Sequence, residues 1–104
     1  MSRRFAIQCP FYYLDGHSLG SGTVRDISKK GWRAEGNCSI ETGIDLSLSI
    51  LLPGLTVPLK VEHAIVQWTR NQEFGLQVVE MQLVEWDRFE RFVSRLIPRL
   101  YPSD

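Results

Sequence analysis

The sequence has few of the features that hold small proteins together by cross-links. It has two cysteines, Cys9 and Cys38, far apart, with no CxxC and no Cys/His pair at ligand spacing. A disulfide scaffold and a zinc site are therefore not expected, and reduced thiols fit better. Charge of one sign is also missing: 12 basic residues meet 12 acidic ones, for a formal net charge of zero. A general nucleic-acid binder needs a basic excess to neutralise phosphates, so no nucleic-acid partner is expected. A small anionic ligand needs only two or three placed arginines and stays open.

Long apolar runs are absent too. The chain begins Met1-Ser2-Arg3-Arg4, but Gln8 and Pro10 interrupt the apolar stretch behind it. That pattern predicts neither a secretory leader nor insertion into a membrane, and the expected location is cytoplasmic. Enzyme signatures are missing in the same way. There is no GxSxG, HExxH, P-loop or GxGxxG pattern. His17 beside Asp15 and His63 beside Glu62 have no partner at metal-ligand spacing and read as solvated or packed side chains. No enzyme activity, catalytic residue, metal or cofactor is expected.

The chain does have strands and turns. Its 104 residues fit one domain, and a hydrophobic fraction of 43% with 23% charged residues is ordinary globular composition. Phe5 to Leu14 is rich in aromatic and branched residues and predicts a strand, with Pro10 placing it at an edge or a bulge. Asp15-Gly16 predicts a turn, and His17 to Gly22 a hairpin loop. A second strand is expected over Thr23 to Ile27, and a third over Trp32 to Ala34. Leu46, Leu48 and Ile50 alternate with serines at the period of a half-buried strand. Pro53-Gly54 ends that strand. Leu55 to Arg70 predicts a long strand whose apolar phase switches near Glu62-His63, which implies a bulge or bend. Asn71-Gln72 turns the chain into a last strand, Phe74 to Val79.

The tail has a different period. Trp86, Phe89, Val93, Leu96 and Ile97 fall at helical spacings within Val84 to Ile97. Glu85 and Asp87 at the start and Arg91, Arg95 and Arg99 at the end suit the helix dipole. Pro98 is expected to stop the helix. An amphipathic helix must dock on something, and closing one end of a barrel is the simplest use. Short, regularly spaced strands plus one terminal helix predict a mainly β fold, a small antiparallel barrel.

One segment stands out for function: Asp26-Ile27-Ser28-Lys29-Lys30-Gly31. It spans the exit of one strand, a sharp turn and the entry of the next. Residues two apart on a strand share a face, which would put Asp26 beside Ser28. Gly31 permits positive φ and close backbone approach. A carboxylate and a hydroxyl beside bare backbone can accept hydrogen bonds from a flat polar ligand. The same residues also make ordinary Asx or Ser turns, and the pattern alone favours that reading. Trp32 and Trp68 can offer stacking surface, but core or edge packing is the favoured reading for each.

This DxSxxG segment, about twenty residues after an N-terminal arginine cluster, resembles the signature of the PilZ family. Gly43 to Pro53 before a turn, Val66-Gln67-Trp68 in a long strand and Phe74-Gly75-Leu76 opening the last one resemble the family as well. The likeness runs over roughly the whole chain, as one PilZ domain over 1–104 with a barrel at about 5–80 and a helix at about 84–97. It implies a six-stranded barrel and a receptor for the bacterial messenger cyclic di-GMP. It further implies that Arg3, Arg4, Asp26, Ser28 and Gly31 bind that ligand, with Asp26 and Ser28 reading a guanine. The family also carries a second arginine in an RxxxR segment, and here Ile7 stands in its place. Arg4, Arg25, Lys29, Lys30 and Arg33 are candidates to compensate. Two functions follow as expectations. One is a cyclic di-GMP receptor that signals to an unidentified protein partner by ordering the arm around Arg3 and Arg4. The other is a degenerate PilZ domain that binds no nucleotide and serves as an interaction module in motility or pilus machinery.

Overall fold

In the computed structural model, which describes residues 4–28 and 31–100, six strands precede one helix. They are β1 (Phe5–Leu14), β2 (Leu19–Ile27), β3 (Trp32–Gly36), β4 (Asp45–Ile50), β5 (Leu59–Arg70), β6 (Glu73–Glu80) and α1 (Leu83–Leu100). All pairings are antiparallel, and the strands close in the order β1-β2-β3-β6-β5-β4. Closure leaves the sheet no free edge, so Pro10 sits inside a closed sheet, on its outward face, rather than at an edge; the other expected alternative, a bulge in this strand, is met by the register shift between Ala6 and Cys9.

The alternation in the sequence is what fills the barrel. Cys9, Phe11 and Tyr13 of β1 point inward, as do Leu46, Leu48 and Ile50 of β4. Phe11 and Tyr13 stack at 5.2 Å, and Tyr13 meets Phe74 edge-on at 5.5 Å. Glycines make room for these rings. A Cβ at Gly20 or Gly36 would run into the Tyr13 side chain. The expected loop through Gly22 is therefore mostly strand. β2 begins at Leu19, and the turn is confined to the residues after Leu14, where the Asp15 carboxylate accepts the backbone N–H groups of His17 and Ser18 at 2.9 and 2.7 Å.

Two further boundaries differ from the sequence reading. β5 starts at Leu59 rather than Leu55, and Val57 is exposed. Pro58 has no N–H for a ladder, and the carbonyls of Val57 and Pro58 go to Arg88 on the helix instead. The irregularity expected near Glu62-His63 is present as a register shift between His63 and Ala64 against β6. At the other end of the chain, α1 continues past Pro98 to Leu100. Residues 99 and 100 look to carbonyls four positions back, which a proline at 98 does not remove.

α1 closes the barrel end where β2 ends and where β3 and β5 begin. Phe89 packs on Trp32 with ring centroids 5.4 Å apart, and Trp86 meets Phe89 at 6.3 Å. Phe92 is buried as well, beside the expected stripe residues Phe89, Val93 and Leu96. Burying Phe89 and Phe92 is worth about 1.5–3 kcal/mol each. Polar contacts fix the helix start: Glu85 accepts the Lys60 N–H at 3.3 Å and pairs with Arg88 at 2.6 Å.

Candidate functional site

Strand register sets the site. Asp26 of β2 lies opposite Ala6 of β1 and Arg33 of β3. Arg33 lies opposite Gly75 of β6, and Gly75 opposite Trp68 of β5. One row across the outer face thus carries a carboxylate, a guanidinium, bare backbone and an indole. Register shifts sit beside this row on three pairings: Ala6/Cys9, Val24/Asp26 and Val66/Trp68. Bulges bend strands and re-aim side chains, and they concentrate where a surface is used. The shift before Asp26 matters most, because it turns Asp26 outward toward Arg33 while Ile27 and Val24 stay in the core.

Asp26 is buried to 9% exposure, and it is paired on both oxygens. Arg4 Nη1 donates to Oδ1, and Arg33 Nε donates to Oδ2 at 2.8 Å. Arg33 also reaches Glu73 through Nη1 at 3.4 Å. The Asp26 carboxylate beside it pushes the Arg33 guanidinium further above its already high range, so this cation is permanent. An ionised carboxylate has about four acceptor positions, so two arginines do not exhaust it. Both arginines are largely solvated, with side-chain exposures of 57% for Arg4 and 40% for Arg33.

Ser28 follows the end of β2 and closes the turn. Its Oγ lies 2.8 Å from the Gly31 carbonyl oxygen and 3.1 Å from the Gly31 nitrogen, and its own N–H donates to the Gly31 carbonyl at 3.0 Å. The hydroxyl therefore takes the turn-making part that the pattern alone favours. Gly31 is demanded by close approach: a Cβ there would stand 2.9 Å from the Leu76 carbonyl oxygen on β6.

The remaining expected residues divide clearly. Arg3, Lys29 and Lys30 lie outside the described residues. Arg25 pairs with Glu35 rather than with Asp26. Ile7 packs against the core. Trp32 points inward onto Phe89 and offers a ligand no face. Trp68 keeps 39% exposure and lies over Gly75, where any Cβ would collide with the indole. The sequence names Arg33 only as one of five candidates, and Glu73 not at all. Their cross-strand placement is the signal, and it needs the register.

Elsewhere, His63 Nδ1 lies 2.8 Å from Asp45 on the exposed face. A shallow groove of about 270 Å³ runs beside Tyr12, Leu14, Leu19 and Lys60 and holds none of the motif residues. No cluster of three or more His, Cys, Asp or Glu among the described residues could hold a metal ion. No helix among them is long and apolar enough to cross a membrane.

Comparison with known proteins agrees with this geometry. No curated protein matches the chain. The family model described as PilZ domain matches residues 1–95, which takes in the whole barrel and most of α1. A closed six-stranded antiparallel barrel with a C-terminal helix, carrying Asp26, Ser28 and Gly31 at one rim, belongs to the PilZ domain family, a family of cyclic di-GMP receptor domains.

Proposed function

We propose that this chain is a cyclic di-GMP receptor and that the ligand lies along the row from Asp26 to Trp68. The observation that carries this reading is Asp26: a nearly buried carboxylate, aimed outward by a bulge, held between two solvated arginines. Guanine offers its ring N–H and exocyclic amine on one edge, which suits a carboxylate with spare acceptor positions. The phosphodiester charges suit Arg4, and the Trp68 indole gives a flat edge for a base. Because Gly75 has no side chain, the indole lies over it, one row position from Arg33.

The activity is binding, not catalysis, and no cofactor takes part. Ligand arrival draws Arg4 from Asp26 toward a phosphate and with it the arm that carries Arg3. That changes the surface a cytoplasmic protein partner meets. Titration calorimetry with purified protein tests the reading. Saturable heat at micromolar ligand is expected; no heat and no amide chemical-shift change at high micromolar ligand would sink it.

One observation favours a second reading, that of an interaction module without nucleotide. Ile7, in the place of the family's second arginine, is packed against the core and supplies no cation. A pull-down that recovers the same partner with and without cyclic di-GMP would support that alternative.

A further inference from the structure

We infer that Arg33 is the second ligand-binding arginine of this site, and that Glu73 restrains it. The inference rests on the cyclic di-GMP reading above. Ile7 cannot do this work, and Arg25 is engaged by Glu35. Arg33 stands directly across from Asp26 on the neighbouring strand, on the same outward face. Its guanidinium is pinned at two points, Nε on Asp26 at 2.8 Å and Nη1 on Glu73 at 3.4 Å.

Two such tethers fix the plane of the fork. Among the described residues, no hydrogen bond reaches the third nitrogen, Nη2, so it remains a donor for a ligand. The neighbouring row positions are Asp26 on one side and Gly75 under Trp68 on the other. A group bound at Arg33 therefore lies between the carboxylate that would read guanine and the indole that would stack on a base. A phosphodiester oxygen is the group of cyclic di-GMP that fits a fixed cationic donor there.

Glu73 has the opposite sign of effect. It lies two positions along β6 from Gly75, so it meets Arg33 on the diagonal, and it is half-exposed. Its carboxylate competes with a phosphate for the same guanidinium and places a negative charge beside an anionic ligand. Glu73 thus orients Arg33 and weakens its grip on the ligand.

Calorimetric titration of cyclic di-GMP into the wild type, Arg33→Gln, Arg33→Ala, Glu73→Gln and the Arg33→Gln/Glu73→Gln pair tests this, with thermal melts to confirm folding. Loss of one charge-assisted contact predicts a ten- to hundredfold weaker Kd for Arg33→Gln and Arg33→Ala. Glu73→Gln is expected to tighten binding about two- to fivefold, the scale of an exposed ion pair. That gain should vanish when Arg33 is also replaced. A purely structural Arg33 would give the reverse for Glu73→Gln, because loosening a structural arginine cannot improve binding. Unchanged affinity in folded Arg33 variants, or no tightening in Glu73→Gln, overturns the inference while leaving the receptor reading intact. A wild type that releases no heat overturns both.

Discussion

The two ends of the barrel are built on different physics. At the end formed by the β1–β2 hairpin, Phe11, Tyr13 and Phe74 pack ring on ring, and Gly20 and Gly36 are bare because the Tyr13 ring occupies the space. Nothing there can exchange partners without leaving a hole. At the other end, which α1 closes with Phe89 and Phe92, Asp26, Arg4 and Arg33 meet through charge on the outer face, and Arg33 reaches along the barrel to Glu73. Each of those contacts can be replaced by water or by a ligand at small cost. Packing fills the hairpin end and the interior beneath α1, and exchangeable chemistry is confined to the outer face of the second end. A binding domain this small needs the division, because it has little stability to spend on a strained site.

Mutations should separate the two ends. Phe74→Ala removes a fully buried ring that touches both Phe11 and Tyr13, and should cost about 3–5 kcal/mol in chemical denaturation. Ligand affinity of whatever fraction stays folded should change little. Asp26→Ala should do the converse. We expect a hundredfold or greater loss of cyclic di-GMP affinity by calorimetry, with a stability change under about 1 kcal/mol, because both arginines it releases are already solvated. A large stability loss in Asp26→Ala would break the comparison.

Alkaline pH should attack only the packed region. Burial pushes the Cys9 thiol up to about 11 and, with the neighbouring Cys38, the Tyr13 hydroxyl up to about 12. Groups whose pKa rises on folding stabilise the fold below their unfolded values and lose that contribution as pH climbs toward the folded ones. Stability should therefore fall between about pH 9 and pH 12, with roughly 2–3 kcal/mol of the drop owed to Cys9. Tyr13→Phe should flatten the upper part of the curve, and an unchanged denaturation profile would count against the burial account.

The smallest effect sharpens the comparison at the rim. Ile7→Arg restores the family's second cation and should tighten ligand about tenfold, near 1.4 kcal/mol. It should also lower stability somewhat, since Ile7 packs against the core. Unchanged affinity there would mean that Arg33 already fills the role completely.

Much of the fold is legible in the chain because it follows from side-chain period. β4 buries Leu46, Leu48 and Ile50 as their alternation predicts, α1 buries Phe89 at the predicted spacing, and β1 runs over Phe5–Leu14 as its aromatic and branched residues predict. The helix end past Pro98 fails for a local reason, and the failures in the strands are tertiary. Gly20 and Gly22 read as loop because their partner, the Tyr13 ring and its surrounding strands, is invisible to local pattern. Residues 55–58 read as strand although Pro58 and the helix side chain Arg88 draw that segment out of the sheet. The candidate site is half legible. Asp26, Ser28 and Gly31 are found by motif, but Arg33 is picked out from its rivals only by a one-residue bulge that no spacing rule reveals. Ser28 shows the limit of the motif itself, since its hydroxyl is engaged in closing its own turn.

The three tryptophans turn this architecture into an optical instrument. Trp32 and Trp86 both touch Phe89, at the seam between barrel and helix, whereas Trp68 stands half in solvent over Gly75 at the end of the charged row. Their emission should separate by quencher: Trp68 within reach of acrylamide, Trp32 shielded. A ligand seated on the row would dim or shift the first, and loosening of the helix would redden the other two. Occupancy and helix docking can then be followed in one cuvette without a label.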